Sequence, residues 1–215
     1  MNDAARPPGP TLIAGFEPFG GHERNPAAEI ALALDGERIG GAPVIGRLLP
    51  VSHHAIAGRL AALVEEHRPR LVIALGLAAG EPAIRLERFG HNLAHFEIAD
   101  NDGVRIMDEE IEPGGPVALR ATLPLRGIEQ RLLAAGINAR LSETAGTFLC
   151  NIALYQLMRL AESRSQSFLG GFIHLPFMSE QLAAESSDTP SMELPRMIAA
   201  VRIAAEVSRA EAARR

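Results

Sequence analysis

Apolar and polar positions along this chain fall into blocks whose period switches repeatedly between that of a strand and that of a helix. Residues 11–14 form a short apolar run that enters a loop built from Gly, Pro and Phe, Gly15-Phe16-Glu17-Pro18-Phe19-Gly20-Gly21. Asn25-Pro26 predicts a helix start, with Asn capping and Pro at the first helical position, leading through Ile30 to Leu34. Residues 44–49 read as a strand, after which Ser52 caps a helix carrying Ile56, Leu60 and Leu63 on one face. Residues 71–75 are continuously apolar, as in a strand buried on both faces. Between positions 83 and 116 the regular pattern breaks. The polar turns Asp100-Asn101-Asp102-Gly103 and Pro113-Gly114-Gly115-Pro116 predict extended arms and loops there. Helical periodicity returns over 124–135, followed by a strand near 139–141, a helix over 152–160 and a strand over 168–173. A last helix has Met197, Val201 and Ala204 on one face. Strands alternating with helices predict a mixed, mainly parallel sheet covered by helices on both faces, three layers in all. Sites in such sheets form beyond the carboxyl ends of strands, which is where Phe16, Phe19 and His174 fall.

Composition narrows this to one domain over residues 11–215, preceded by a disordered lead-in over residues 1–10. The 47% hydrophobic content supports a sizeable core. A net charge of −5 argues against nucleic-acid or anionic-membrane partners, which favour a basic face. No apolar run approaches the ~18 residues of a membrane helix, and the first ten residues lack the apolar core of a signal peptide. A single cysteine forms neither an internal disulfide nor a cysteine-based zinc site, so a reducing cytoplasmic setting is expected.

That cysteine carries the most chemical information. Cys150 lies in Thr144-Ala145-Gly146-Thr147-Phe148-Leu149-Cys150-Asn151, just ahead of a helical pattern. A thiol at a helix N-terminus faces unpaired N–H groups and the positive end of the dipole, which predicts a stabilised thiolate. His174 follows an apolar strand in Gly170-Gly171-Phe172-Ile173-His174-Leu175-Pro176. Nucleophile and base candidates therefore end neighbouring elements. Each also has a plainer reading: Cys150 as a small buried hydrophobe, His174 as a satisfied structural residue, Glu87 as a solvated residue on an edge strand. Phe16 and Phe19 fit either core packing or a flat pocket wall. His91 and His95 are spaced four apart, but their segment is not helical and no further ligands accompany them, so no metal is expected. The glycine loop fits neither phosphate-binding motif.

The ordered set of these segments resembles the pyroglutamyl peptidase I (pyrrolidone-carboxylate peptidase) family of cysteine peptidases. The likeness runs from Gly15-Phe16-Glu17-Pro18-Phe19-Gly20-Gly21 and Asn25-Pro26 through Leu86-Glu87-Arg88, Ile98-Ala99-Asp100-Asn101 and Pro113-Gly114-Gly115-Pro116. It continues in the Cys150 and His174 segments and ends at Pro190-Ser191-Met192. The resemblance implies an α/β/α sandwich and a homo-oligomer, dimer or tetramer. It also implies Cys150 as nucleophile, His174 as general base and Glu87 as the acid orienting the histidine. Phe16, Phe19, Ile98, Phe148 and Leu149 stand where the family builds its ring pocket, and no cofactor is implied. The implied substrates are peptides with N-terminal pyroglutamate. Several positions depart from the family. Ala79-Gly80-Glu81 stands for Gly-Gly-Arg, Leu77 for Gln, Val51 for Thr, Glu97 for an arginine near the reacting carbonyl, and Ala99 for Pro. Two alternatives accompany this reading: a hydrolase of the same fold acting on another small acyl or lactam group, and a catalytically weak binding protein.

Overall fold

A computed structural model describes residues 9–163, 168–182 and 188–214. The first eight residues of the expected lead-in, and its disorder, lie outside the described residues. Gly9 and Pro10 are tied down: the Pro10 carbonyl accepts the Arg70 N–H at 3.0 Å and the Gly9 carbonyl accepts from the Arg209 guanidinium at 2.7 Å.

In chain order the elements are β1 (Thr11–Phe16), α1 (Pro26–Leu34), β2 (Arg38–Ile39), β3 (Ala42–Leu49), α2 (His53–His67), β4 (Leu71–Leu77), β5 (Ile84–Glu87) and β6 (Phe89–His91). They continue as β7 (Ala118–Arg120), α3 (Leu125–Ala134), β8 (Ala139–Ser142), α4 (Leu149–Ser163), β9 (Leu169–Leu175), β10 (Phe177–Met178), α5 (Ser179–Leu182), β11 (Ser191–Met192) and α6 (Leu194–Ala212). The predicted caps form: Asn25 accepts the Ala27 N–H and Ser52 the Ala55 N–H.

The central sheet runs β2-β3-β1-β4-β9-β5-β8. β1 pairs in parallel with β3 and β4, β4 with β9, and β5 with β8, while β2–β3 and β5–β9 are antiparallel. The sheet is thus mixed and mainly parallel. All seven residues of β4 and all seven of β9 are buried, as expected for central strands covered on both faces. Helices α1, α3 and α6 pack together on one face and α2 and α4 on the other. Two small antiparallel or parallel ladders, β6–β7 and β10–β11, sit outside this sheet. Among the described residues no helix is long and apolar enough to cross a membrane.

Close approach of α1 to the sheet requires missing side chains. A Cβ on Gly15 of β1 would lie 1.9 Å from the Ala27 carbonyl oxygen, and one on Gly46 of β3 would lie 1.8 Å from that of Ala31. Both obstacles are backbone, which cannot swing aside. Gly15→Ala is therefore expected to destabilise the fold by about 1–3 kcal/mol or more, the cost of overpacking. Urea unfolding should show a lower midpoint at unchanged slope.

Candidate active site

Three central strands make the floor of the site. Gly76 of β4 pairs with His174 of β9, which pairs with Arg85 of β5, giving one row across the sheet. Glu87 and Phe172 pair two residues along the same strands. Opposed residues and their i+2 neighbours share a face, so all five positions face the same side. That side is covered by α4, the helix that carries Cys150. Gly76 makes the space: a Cβ there would lie 2.8 Å from the Cys150 sulfur. The thiol therefore rests over the residue paired with His174.

His174 Nδ1 lies 2.7 Å from Glu87 Oε1, and the two residues are 5% and 0% exposed. A carboxylate only accepts, so this contact places the imidazole proton on Nδ1 and leaves Nε2 with a free lone pair. Glu87 is not a solvated edge residue, because β5 lies between β9 and β8 in the sheet. The Arg85 guanidinium completes the cluster, with Nε 3.0 Å from the same Glu87 oxygen.

Cys150, the second residue of α4, is 9% exposed. Its burial, and secondarily the Glu87 carboxylate, push the thiol up to about 12, against the opposing effects of Arg85 and the Cys150 N–H. The expected helix-stabilised thiolate does not hold at rest. A helix terminus contributes about 0.3–1 kcal/mol, under one pK unit, and loses to desolvation.

The apolar candidates divide into two layers. Phe19 and Phe148 are half-buried with ring centroids 6.0 Å apart, and Phe148 meets Phe96 edge-on at 4.7 Å. Ile98, 46% exposed, lies beside the Phe19 loop, 3.9 Å from where a Cβ on Gly20 would stand. Phe16 and Leu149 are fully buried beneath them. Phe16 rests on Phe172 at 6.3 Å, and Phe172 on His174 at 4.9 Å.

Two acids, the half-buried Glu17 and the buried Asp100, hold the Phe19 and Ile98 loops together. Glu17 accepts from the Val51 N–H at 3.0 Å and the Asn101 side chain at 3.2 Å. Asp100 accepts the N–H groups of His53, Asp102 and Val104 at 2.8, 3.0 and 2.9 Å. Burial alone would raise the Asp100 carboxyl, yet these backbone donors hold it below its ordinary value. Of the departures, Val51 and Leu77 are buried, and Glu97 is exposed, with Arg105 donating to its backbone carbonyl at 3.1 Å. His91 and His95 turn to separate partners, the Glu143 carbonyl at 3.0 Å and Asp108 at 2.9 Å.

Arg85, Gly76 and Asn151 belong to the candidate site by position, and the residue pattern did not single them out. A lone glycine inside a continuous apolar strand is a signal of close approach, and Gly76 carries it. Asn151 is wholly buried; its side chain accepts the His91 N–H at 2.8 Å and donates to the carbonyls of His91 and Leu93 at 2.8 and 2.9 Å. One turn on, Tyr155 donates to the Pro116 carbonyl at 3.0 Å, and a turn further Arg159 forks onto Glu112 at 2.6 and 2.7 Å. These i, i+4, i+8 positions clamp the arm after β5 onto the helix that carries the thiol.

A sequence profile of the pyroglutamyl peptidase family matches residues 10–211. The chain belongs to that family. It is 41% identical over 201 residues to the pyrrolidone-carboxylate peptidase of Thermococcus litoralis, covering 92% of this chain and 91% of that relative. It is 42% identical over 194 residues to the one from Cupriavidus necator, covering 90% and 89%. The solved structure of the Thermococcus litoralis pyrrolidone carboxyl peptidase superposes with a TM-score of 0.90 at 40% identity, covering 93% of each chain. The single-domain α/β fold of the pyroglutamyl peptidase family is thus present over nearly the whole chain.

Asn151→Ala tests the clamp. Removing this side chain takes the partner from one N–H and two carbonyls of the part-buried arm, and about 1–3 kcal/mol is expected to be lost. Amide exchange at Gly90–Leu93 should quicken more than exchange in β4, which a uniformly weakened fold would not show.

Proposed function

We propose that this pyroglutamyl peptidase family member hydrolyses the amide bond after an N-terminal pyroglutamyl residue, with Cys150 as nucleophile, His174 as general base and Glu87 as its orienting acid. The observation that carries this reading is the buried Glu87–His174 contact on the strand row over which the Cys150 sulfur sits. A pyroglutamyl ring is a neutral lactam without a free α-amine. It suits apolar walls such as Phe19, Ile98 and Phe148, with Phe16 and Leu149 packed behind, better than a charged anchor.

The raised thiol makes the base indispensable. Nε2 of His174 takes the Cys150 proton as the sulfur attacks the pyroglutamyl carbonyl, and Glu87 stabilises the imidazolium that forms. First-turn N–H groups of α4, which have no partner within the helix, would face the developing oxyanion, a contact type worth about 3 kcal/mol per donor elsewhere. The imidazolium then protonates the leaving amine. Water activated by His174 cleaves the thioester. No step in this reading calls on a metal or organic cofactor. The one-cysteine composition supports a cytoplasmic setting. The exposed apolar residues Leu93, Met107 and Val117 along the arm support assembly into a homo-oligomer, dimer or tetramer.

Release of a chromogenic amine from its pyroglutamyl amide, with and without iodoacetamide, tests the function. Cys150→Ala should abolish turnover with the melting temperature little changed. His174→Ala should lower kcat by about three orders of magnitude or more, and Glu87→Gln by less, since it keeps a hydrogen bond but loses the charge. Alkylation of Cys150 in the His174→Ala variant should be slow at neutral pH and accelerate into the alkaline range as the thiol approaches its raised pKa of about 12. Faster turnover of prolyl or alanyl amides would point to a different acyl group. Substantial activity in Cys150→Ala would end the cysteine-peptidase reading.

A further inference from the structure

Arg85 is charged, largely buried, and unused by the chemistry just described. It stands opposite His174 in the β5–β9 register, on the same face as Glu87 and the thiol. Its Nε lies 3.0 Å from Glu87 Oε1, the oxygen that also meets His174 Nδ1 at 2.7 Å. The Nε contact is not aligned as a hydrogen bond, and Glu87 Oε2 has no partner, so the guanidinium acts on Glu87 through charge rather than through a fork. The other arm is committed. Nη2 donates to Ser142 Oγ at 2.9 Å and to the Thr144 carbonyl at 2.6 Å, at the start of the loop that delivers Cys150.

The charges close on themselves. Among the described residues, the groups facing this cluster are Glu81 ahead of β5, Arg85 and Glu87 on β5, Arg140 on β8, Cys150 on α4 and His174 on β9. Glu81 reaches Arg85 Nη1 at 3.4 Å and Arg140 Nη2 at 2.8 Å, so it does not neutralise Arg85 alone. Two cations and two carboxylates leave the resting cluster neutral. Proton transfer from Cys150 to His174 then creates its own balanced pair, a thiolate and an imidazolium.

We propose that Arg85 is a positioning residue: it anchors the Glu87 carboxylate that orients His174, and it ties that carboxylate to the loop leading into Cys150. This rests on the roles given above to Cys150, His174 and Glu87. Without the cation the cluster carries an extra negative charge. Imidazolium is then favoured and persists to higher pH, while thiolate is disfavoured. Both effects move activity toward alkaline pH.

Two variants test the assignment. Arg85→Gln should lower kcat for a pyroglutamyl amide roughly ten-fold or more with KM nearly unchanged, and shift the acid limb of the kcat profile up by about one pH unit. Alkylation of its Cys150 by iodoacetamide should be slower at neutral pH, with its rise displaced upward. Arg85→Lys keeps the charge but cannot serve Glu87, Ser142 and Thr144 together. Its acid limb should stay at the wild-type pH while kcat falls. A folded Arg85→Gln protein with wild-type pH limbs and wild-type alkylation, losing only melting temperature, would overturn the proposal. If Arg85→Gln does not fold, Arg85→Lys decides, because wild-type kcat or a displaced limb in that variant also overturns it. Alkylation needs no substrate, so failure of the wild-type protein to cleave pyroglutamyl amides would be recognised separately.

Discussion

A fully buried carboxylate places heavy demands on what surrounds it. The Glu87 side chain has no exposed surface, and an ionised group in such a position is costly unless countercharges and hydrogen bonds meet it. The sheet order answers that demand. β5 enters the sheet antiparallel to β9, which brings Arg85 directly opposite His174 and both within reach of Glu87. Had β5 remained an exposed edge strand, water would screen the carboxylate and its hold on the imidazole would weaken. The orientation of His174 therefore depends on how the chain threads its strands.

Helix α4 serves two surfaces at once. Its first turn lays Cys150 into the gap left by Gly76, while Asn151, Tyr155 and Arg159 hold the arm after β5 on another stripe of the same helix. Displacing α4 would move the thiol and the arm together. The arm in turn supplies Phe96, which braces Phe148, and the loop carrying Ile98 is locked to α2 through Asp100. The apolar wall and the Cys150 thiol are thus parts of one packed unit, so loosening one displaces the other.

Burial has opposite consequences for the two ends of this constellation. It strengthens the Glu87–His174 interaction by excluding water, and it makes the Cys150 thiolate unfavourable. A sulfur that keeps its proton at rest is a weaker nucleophile than a thiolate, so a buried thiol depends on a neighbouring base to release its proton.

Much of this architecture was legible in local patterns. The Asn25 and Ser52 caps, the continuous apolar run of β4 and the helical face of Met197, Val201 and Ala204 each report the surroundings of a single element, and the element forms accordingly. The residue types around Cys150 and His174, taken in order, pointed to a nucleophile and a base and to the family. What no local pattern carries is which strands become neighbours. The insertion of β5 between β9 and β8 turned Glu87 from a candidate surface residue into a buried one, and it made a partner of Arg85. The same tertiary packing sank Phe16 and Leu149 beneath the site and raised the thiol that its position at a helix start alone would have lowered. Periodicity describes one element's faces. Desolvation and charge pairing depend on atoms brought together from distant parts of the chain, and only the folded arrangement determines which those are.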